Sequence, residues 1–334
     1  MTRRRQPTVQ SVSISAGRPV LVFVVGFGRS GTSALTRVLS HCGAALPPGL
    51  LGAIADNTRG CFEPREAIYL NEAILRRQGR SGYDLKLRTS EDGAVGAETD
   101  AASVEKIRAY LAKMPAAPVV VIKEPKITAI SDVWFEAARL AGFDVASIIA
   151  VRHPAECIGS VEKRAHRQNY VRASPELVSA WWLKYTLLAE RDTRGVSRVF
   201  VEFPNLLDDW RREVKRIATA LGIDLDDQDE SAIDSFLTPD LRHHRRAGAV
   251  VEPFGTDWVG STYDAMSAAA RDEPWDAAGL DRVFEEYRVS ERGFRTAFED
   301  FRRYRHVNWF LWPPLVKVTL EVLAKINRRK ETWT

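Results

Sequence analysis

Residues 26 to 33 of this 334-residue chain, GFGRSGTS, gather anion-binding groups at unusual density. Small residues in such a run let backbone N–H groups converge on an anion where a helix begins. Arg29 adds a permanent charge and a planar fork of donors, while Ser30, Thr32 and Ser33 add hydroxyls. Two phosphate-binding patterns overlap here, and neither is complete. Gly26, Gly28 and Gly31 spell the dinucleotide fingerprint, but AALPPGLLGAI lacks the acidic residue expected about 20 positions on. Gly26 and Gly31 also fit the nucleoside-triphosphate loop, yet Thr32 stands where its lysine belongs and no strand ends in an aspartate for magnesium. The run reads as a phosphate cradle that asks for no metal.

A second charged group lies in IKEPK, where Lys123 closes an apolar run. Such a lysine either reaches the oxygens of a ligand at the sheet edge or forms a salt bridge with Glu124 or another acid. Late in the chain LRHHRR concentrates Arg242, His243, His244, Arg245 and Arg246, with no further histidine or cysteine cluster to make it a metal site.

These groups need a scaffold, and the hydrophobic pattern supplies one. Apolar runs at 19–25, 118–123, 144–152 and 197–203 read as strands. They alternate with helix-like segments near 32–41, 65–77, 103–113, 131–141, 154–167, 175–192 and 205–221. That alternation predicts an α/β fold, a mainly parallel sheet flanked by helices. Residues 1–18 read as a flexible tail, 19–250 as the core with a polar, mobile insertion at 80–102, and 251–334 as an appendage with a terminal amphipathic helix. On that helix Leu315, Val318, Val322 and Ile326 form a stripe, which either packs on the protein or meets a membrane surface. Pro313, Pro314 and three charged residues break the segment too often for a membrane span.

The formal charge of +4 fits a groove for an anionic ligand and is too small to argue for nucleic acid. Cys42, Cys61 and Cys157 are scattered and odd in number, which points away from a disulfide framework or a zinc site and toward a cytoplasmic setting. The N-terminus has basic residues without the apolar stretch of a secretory signal.

GFGRSGTS resembles the 5′-phosphosulfate-binding loop of the sulfotransferases that use 3′-phosphoadenosine 5′-phosphosulfate (PAPS). SIIAVRHPAECIGS is similar to their second signature, an arginine at a strand end followed eight residues on by a serine. DNTRGCFEPREAIYLNEAIL, IKEPKITAISDVWF and VFVEFPNLLDDWRREVKRIATALGI are similar, in that order, to segments of bacterial and carbohydrate sulfotransferases. The likeness spans roughly residues 19 to 225 and implies a P-loop-like sulfotransferase fold.

The resemblance implies roles for single residues. Gly28, Arg29, Ser30, Gly31, Thr32 and Ser33 would hold the 5′-phosphosulfate, and Arg152 and Ser160 the 3′-phosphate. Phe203 stands where many relatives have a tyrosine near the adenine, and Arg242 and His243 would belong to a basic loop over the phosphates. Glu63, in FEPRE, matches the Glu-Pro element that carries the catalytic base in carbohydrate sulfotransferases, with Glu66 and Glu124 as alternatives. Arg29 would stabilise charge on the leaving phosphate and Lys123 the sulfuryl oxygens. The implied activity is transfer of a sulfuryl group from PAPS, without a metal, to a hydroxyl of a carbohydrate or glycolipid. Two rivals remain: a P-loop small-molecule kinase, and a non-catalytic nucleotide-binding protein associated with membranes.

Overall fold

The computed structural model describes residues 17–54, 57–87, 97–168, 173–226, 228–238, 250, 252–307 and 313–327. The described residues form six strands: β1 (Val20–Val25), β2 (Leu50–Leu51), β3 (Glu63–Pro64), β4 (Val119–Lys123), β5 (Asp144–Val151) and β6 (Ser197–Glu202). The first six helices are α1 (Thr32–His41), α2 (Arg65–Arg77), α3 (Ala97–Leu111), α4 (Ser131–Leu140), α5 (Pro154–Gln168) and α6 (Pro175–Asp192). They are followed by α7 (Phe203–Asp208), α8 (Trp210–Leu221), α9 (Glu230–Phe236), α10 (Trp258–Ala269), α11 (Ala277–Val307) and α12 (Pro313–Asn327).

All six residues of β1, VLVFVV, are buried. An apolar run without alternation belongs to a strand covered on both faces, the usual position inside a parallel sheet. β1 pairs in parallel with β4 on one side and β5 on the other, and β6 lies outside β5, in the order β4-β1-β5-β6. The fold is the expected α/β arrangement with a parallel central sheet. One face of the sheet packs Val20, Val22, Val24, Val121, Ile148 and Val201 against Leu35, Val38 and Leu39 of α1 and Val214, Ile217 and Leu221 of α8. β2 and β3 form a separate antiparallel pair, Leu51 opposite Glu63.

The expected strands lie within a residue of their observed ends, and α1, α2 and α6 have the expected bounds. The helix expected at 103–113 starts earlier, at Ala97, inside the polar stretch read as an insertion. The helix expected at 205–221 is divided at Asp209, whose extended backbone breaks the run and whose carboxylate caps the Arg212 amide at 3.0 Å. The stretch read as an appendage carries a further helix, Trp258–Ala269, ahead of its terminal one. That segment, WVGSTYDAMSAA, has weak local helix propensity, and packing on β5, β6 and α6 compensates. The Glu252 carboxylate accepts from the Val259 amide, one of the free N–H groups at its start.

Two compact units make up the chain, Met1–Phe284 and Glu285–Thr334. The sheet lies in the first and α12 in the second. Among the described residues no helix is long and apolar enough to cross a membrane.

Candidate active site

Parallel strands end at one edge, so the sheet order sets the order of the groups beyond them. Lys123 closes β4 beside Val24 of β1, Gly26 follows β1, Arg152 follows β5, and Phe203 follows β6. The glycine turn thus stands between Lys123 and Arg152, where the connection after β1 runs to β4 on one side and that after β5 runs to β6 on the other, the switch point at which ligands gather in such folds.

Glycine is required twice in the turn. Gly26 has φ +117°, and a Cβ there would lie 2.9 Å from the Ala150 carbonyl oxygen of β5. Gly31 has φ +86°, and a Cβ would collide with the Phe203 ring at 2.2 Å. Arg29 is also left-handed at φ +79°, so the turn is bent as a backbone concavity before α1 begins at Thr32. Its floor is braced from the 3-10 turn Pro125–Ile130 after β4 and from α5. The Gly26 amide donates to Thr128 Oγ1 at 3.0 Å, and the Ser30 hydroxyl meets Cys157 Sγ at 3.6 Å. Burial pushes the Cys157 thiol up to about 11, which keeps it neutral beneath the loop.

The two segments expected to bind anions meet here. Arg29 Nε donates to Ser160 Oγ of α5 at 2.9 Å, and Arg152 Nη1 donates to the Arg29 carbonyl at 3.1 Å. Glu156 Oε2 accepts from Arg152 Nε at 2.7 Å, and the guanidinium lies 4.7 Å from the centroid of the Phe203 ring. Arg152 is 9% exposed, so its orientation is held by a carboxylate, a carbonyl and a ring together.

On the opposite flank of the turn, Lys123 Nζ pairs with Glu63 Oε1 at 2.7 Å. The lysine side chain is 2% exposed and the glutamate 20%, so the pair opens to solvent on its acidic side. Lys123 also donates to Ser33 Oγ at 3.2 Å, which in turn donates to the Cys61 carbonyl at 3.2 Å and accepts from Asn57 Nδ2 at 3.3 Å. Ser33 thereby ties the 57–63 loop to the first turn of α1. Glu66, by contrast, points to Lys113 at 3.0 Å on the exposed side of α2. Glu124 is buried, its oxygens engaged by Asn71, the Lys126 amide and the Lys126 ammonium. Burial above all raises its pKa, with Lys126 opposing. Arg242 and His243 lie outside the described residues.

A family model described as "Sulfotransferase family" matches residues 19–227, the stretch that holds the sheet, the glycine turn, Glu63, Lys123, Arg152 and Ser160. The chain belongs to the sulfotransferase family. Among solved structures this sulfotransferase is similar to the sulfotransferase domain of the olefin synthase of Synechococcus PCC 7002, at 19% identity and a TM-score of 0.38, covering 81% of this chain and 95% of that one. It is similar to the sulfotransferase domain of the curacin biosynthetic pathway at 14% identity and a TM-score of 0.39, with 80% and 97% covered. A sulfotransferase of Alicyclobacillus acidocaldarius shows 16% identity and a TM-score of 0.43, with 79% and 99% covered. No curated protein matches the sequence. Membership rests on the family match.

Several residues around the candidate site have no counterpart in the sequence analysis. Glu156 was legible in principle, four residues after Arg152 in a helix-starting segment. Asn57 and Thr128 had no such local signal, because their partners lie 24 and 102 residues away. His153 accepts from the Ala155 amide at 3.3 Å through Nδ1 and so caps the start of α5.

Proposed function

We propose that this sulfotransferase moves the sulfuryl group of PAPS to an acceptor hydroxyl, of a carbohydrate or a glycolipid. One observation carries the reading: the contact of Arg29 with Ser160 at 2.9 Å joins the glycine turn and the later strand end into one cationic seat. A nucleotide with anionic groups at both ends of its sugar suits two guanidinium groups supported by hydroxyls and turn amides. The site residues proposed for it are Gly28, Arg29, Ser30, Gly31, Thr32, Ser33, Arg152, Ser160 and Phe203, with Arg242 and His243 from the basic segment.

Transfer forms an oxygen–sulfur bond from the acceptor and breaks the bond from sulfur to the bridging oxygen of the phosphate. Glu63 takes the acceptor proton as its oxygen attacks, and Arg29 with the turn amides stabilises the charge that grows on the departing phosphate. Lys123 holds the Glu63 carboxylate in place and faces the sulfuryl oxygens. Burial and saturation of Glu124, and the outward ion pair of Glu66, favour Glu63 as the base among the three. This chemistry needs no metal. Thr32 in the position of the triphosphate-loop lysine argues against a kinase.

Calorimetry of the full chain with adenosine 3′,5′-bisphosphate, ATP and NAD tests the reading. Micromolar or tighter binding is expected for the bisphosphate alone; equal or tighter binding of ATP or NAD would overturn it.

α12 bears on where the acceptor is met. Val318, Leu320, Val322, Leu323 and Ile326 are exposed on it, Ile326 by 68%, and Arg328, Arg329 and Lys330 follow in the sequence. An apolar face followed in the sequence by basic residues suits an anionic lipid surface, and we propose a cytoplasmic enzyme held peripherally at the inner leaflet. Sedimentation with anionic liposomes should carry down the wild-type chain and leave Val322→Glu/Ile326→Glu in solution; equal sedimentation would remove the membrane role.

A further inference from the structure

Phe203 has little ring surface left for a ligand. Gly31 lies against it, the Arg152 guanidinium stands over it at 4.7 Å, and the residue is 6% exposed. Two half-buried rings stand beside the Arg152 turn instead. His153 is the next residue, and Tyr263 of α10 packs edge to face with it, ring centroids 4.9 Å apart at an interplanar angle of 70°.

Both rings are anchored on the protein side. The Ala155 amide donates to His153 Nδ1 at 3.3 Å. Tyr263 Oη donates to Glu202 Oε1 at 2.6 Å, and Glu202 Oε2 accepts from Ser267 Oγ at 3.1 Å, which itself accepts from Arg271 Nη1 at 2.7 Å. Burial first, and then the Glu202 hydrogen bond, push the Tyr263 phenol well above its usual range, so it remains a neutral donor. Glu202 closes β6 and pairs with Val151, the last residue of β5. Tyr263 therefore spans the ends of the two strands that deliver Arg152 and Phe203. Its helix lies outside residues 19–227, the part that matches the family model.

We propose that His153 and Tyr263 form the nucleobase end of the seat, a ring pair against which the purine of the co-substrate lies once its sugar phosphate is held by Arg152. α10 is then a specificity element that this chain adds to the family core. The proposal rests on the reading of the enzyme as a user of PAPS. A flat π-surface next to a phosphate-binding guanidinium is what a base stacks on, and such stacking resists loss of a single hydrogen bond but not loss of the ring.

The test compares adenosine 3′,5′-bisphosphate with a base-free ribose 3,5-bisphosphate, by calorimetry on the full-length chain, with thermal unfolding as a check on folding. Tyr263→Ala should weaken the adenosine ligand by about tenfold or more while changing the base-free ligand less than about twofold. Tyr263→Phe, which keeps the ring, should stay near wild type on both. His153→Asn keeps an acceptor for the Ala155 amide and removes the other ring, so it carries the same comparison should Tyr263→Ala not fold. Equal losses on both ligands, or no loss on either, overturn the proposal. Failure of the wild-type chain to bind the adenosine ligand would instead overturn the PAPS reading on which it stands.

Discussion

The two flanks of the glycine turn handle charge in opposite ways. Toward β5, Arg29 and Arg152 crowd together, with Glu156 bonded to Arg152 and a serine hydroxyl, a carbonyl and a phenyl ring among their contacts. Toward β4, Lys123 and Glu63 neutralise one another at 2.7 Å. Two guanidinium groups held this close cost folding free energy, which on the proposed reading an anionic ligand returns as affinity. A matched pair offers little net charge to a ligand, but it holds a carboxylate in one orientation at the mouth of the site. On the proposed reading the first flank serves binding and the second a proton transfer.

That contrast separates the effects of substitution. Glu63→Gln keeps a hydrogen-bond acceptor for Lys123 and removes the base. Turnover should fall by about a hundredfold to ten-thousandfold in a sulfuryl-transfer assay, with bisphosphate affinity by calorimetry within about twofold of wild type. A drop of less than tenfold would erase the distinction between the flanks and return suspicion to Glu66 or Glu124. Arg152→Ala should do the reverse, weakening the bisphosphate by about 2 to 4 kcal/mol while turnover at saturating co-substrate changes less. A large loss of turnover with affinity intact would move Arg152 into the chemical step.

Some of this was legible without coordinates because the causes are local. Runs such as VLVFVV and VVVIK have no polar alternation, and only a doubly covered strand can use them. The turn was legible because Gly26 and Gly31 occupy backbone conformations that side chains resist. The partner of Lys123 was not legible. Glu124 is its neighbour in sequence, but successive residues of an extended chain point to opposite faces, so Lys123 reaches Glu63 while Glu124 turns inward to Asn71 and Lys126. Helix α10 was missed because its weak propensity is offset by contacts with β5, β6 and α6, all distant in the chain.

By itself, then, the sequence determined the parallel α/β sheet, the glycine turn and the residue types at each strand end, since burial periodicity and backbone freedom are written in consecutive residues. Tertiary structure alone decided which charges touch. The sheet order β4-β1-β5-β6 brings Ser160 to Arg29 across 131 residues, and the packing of β3 beside β4 brings Glu63 to Lys123 across 60. A hydrogen bond depends on ångström distances that no local propensity specifies.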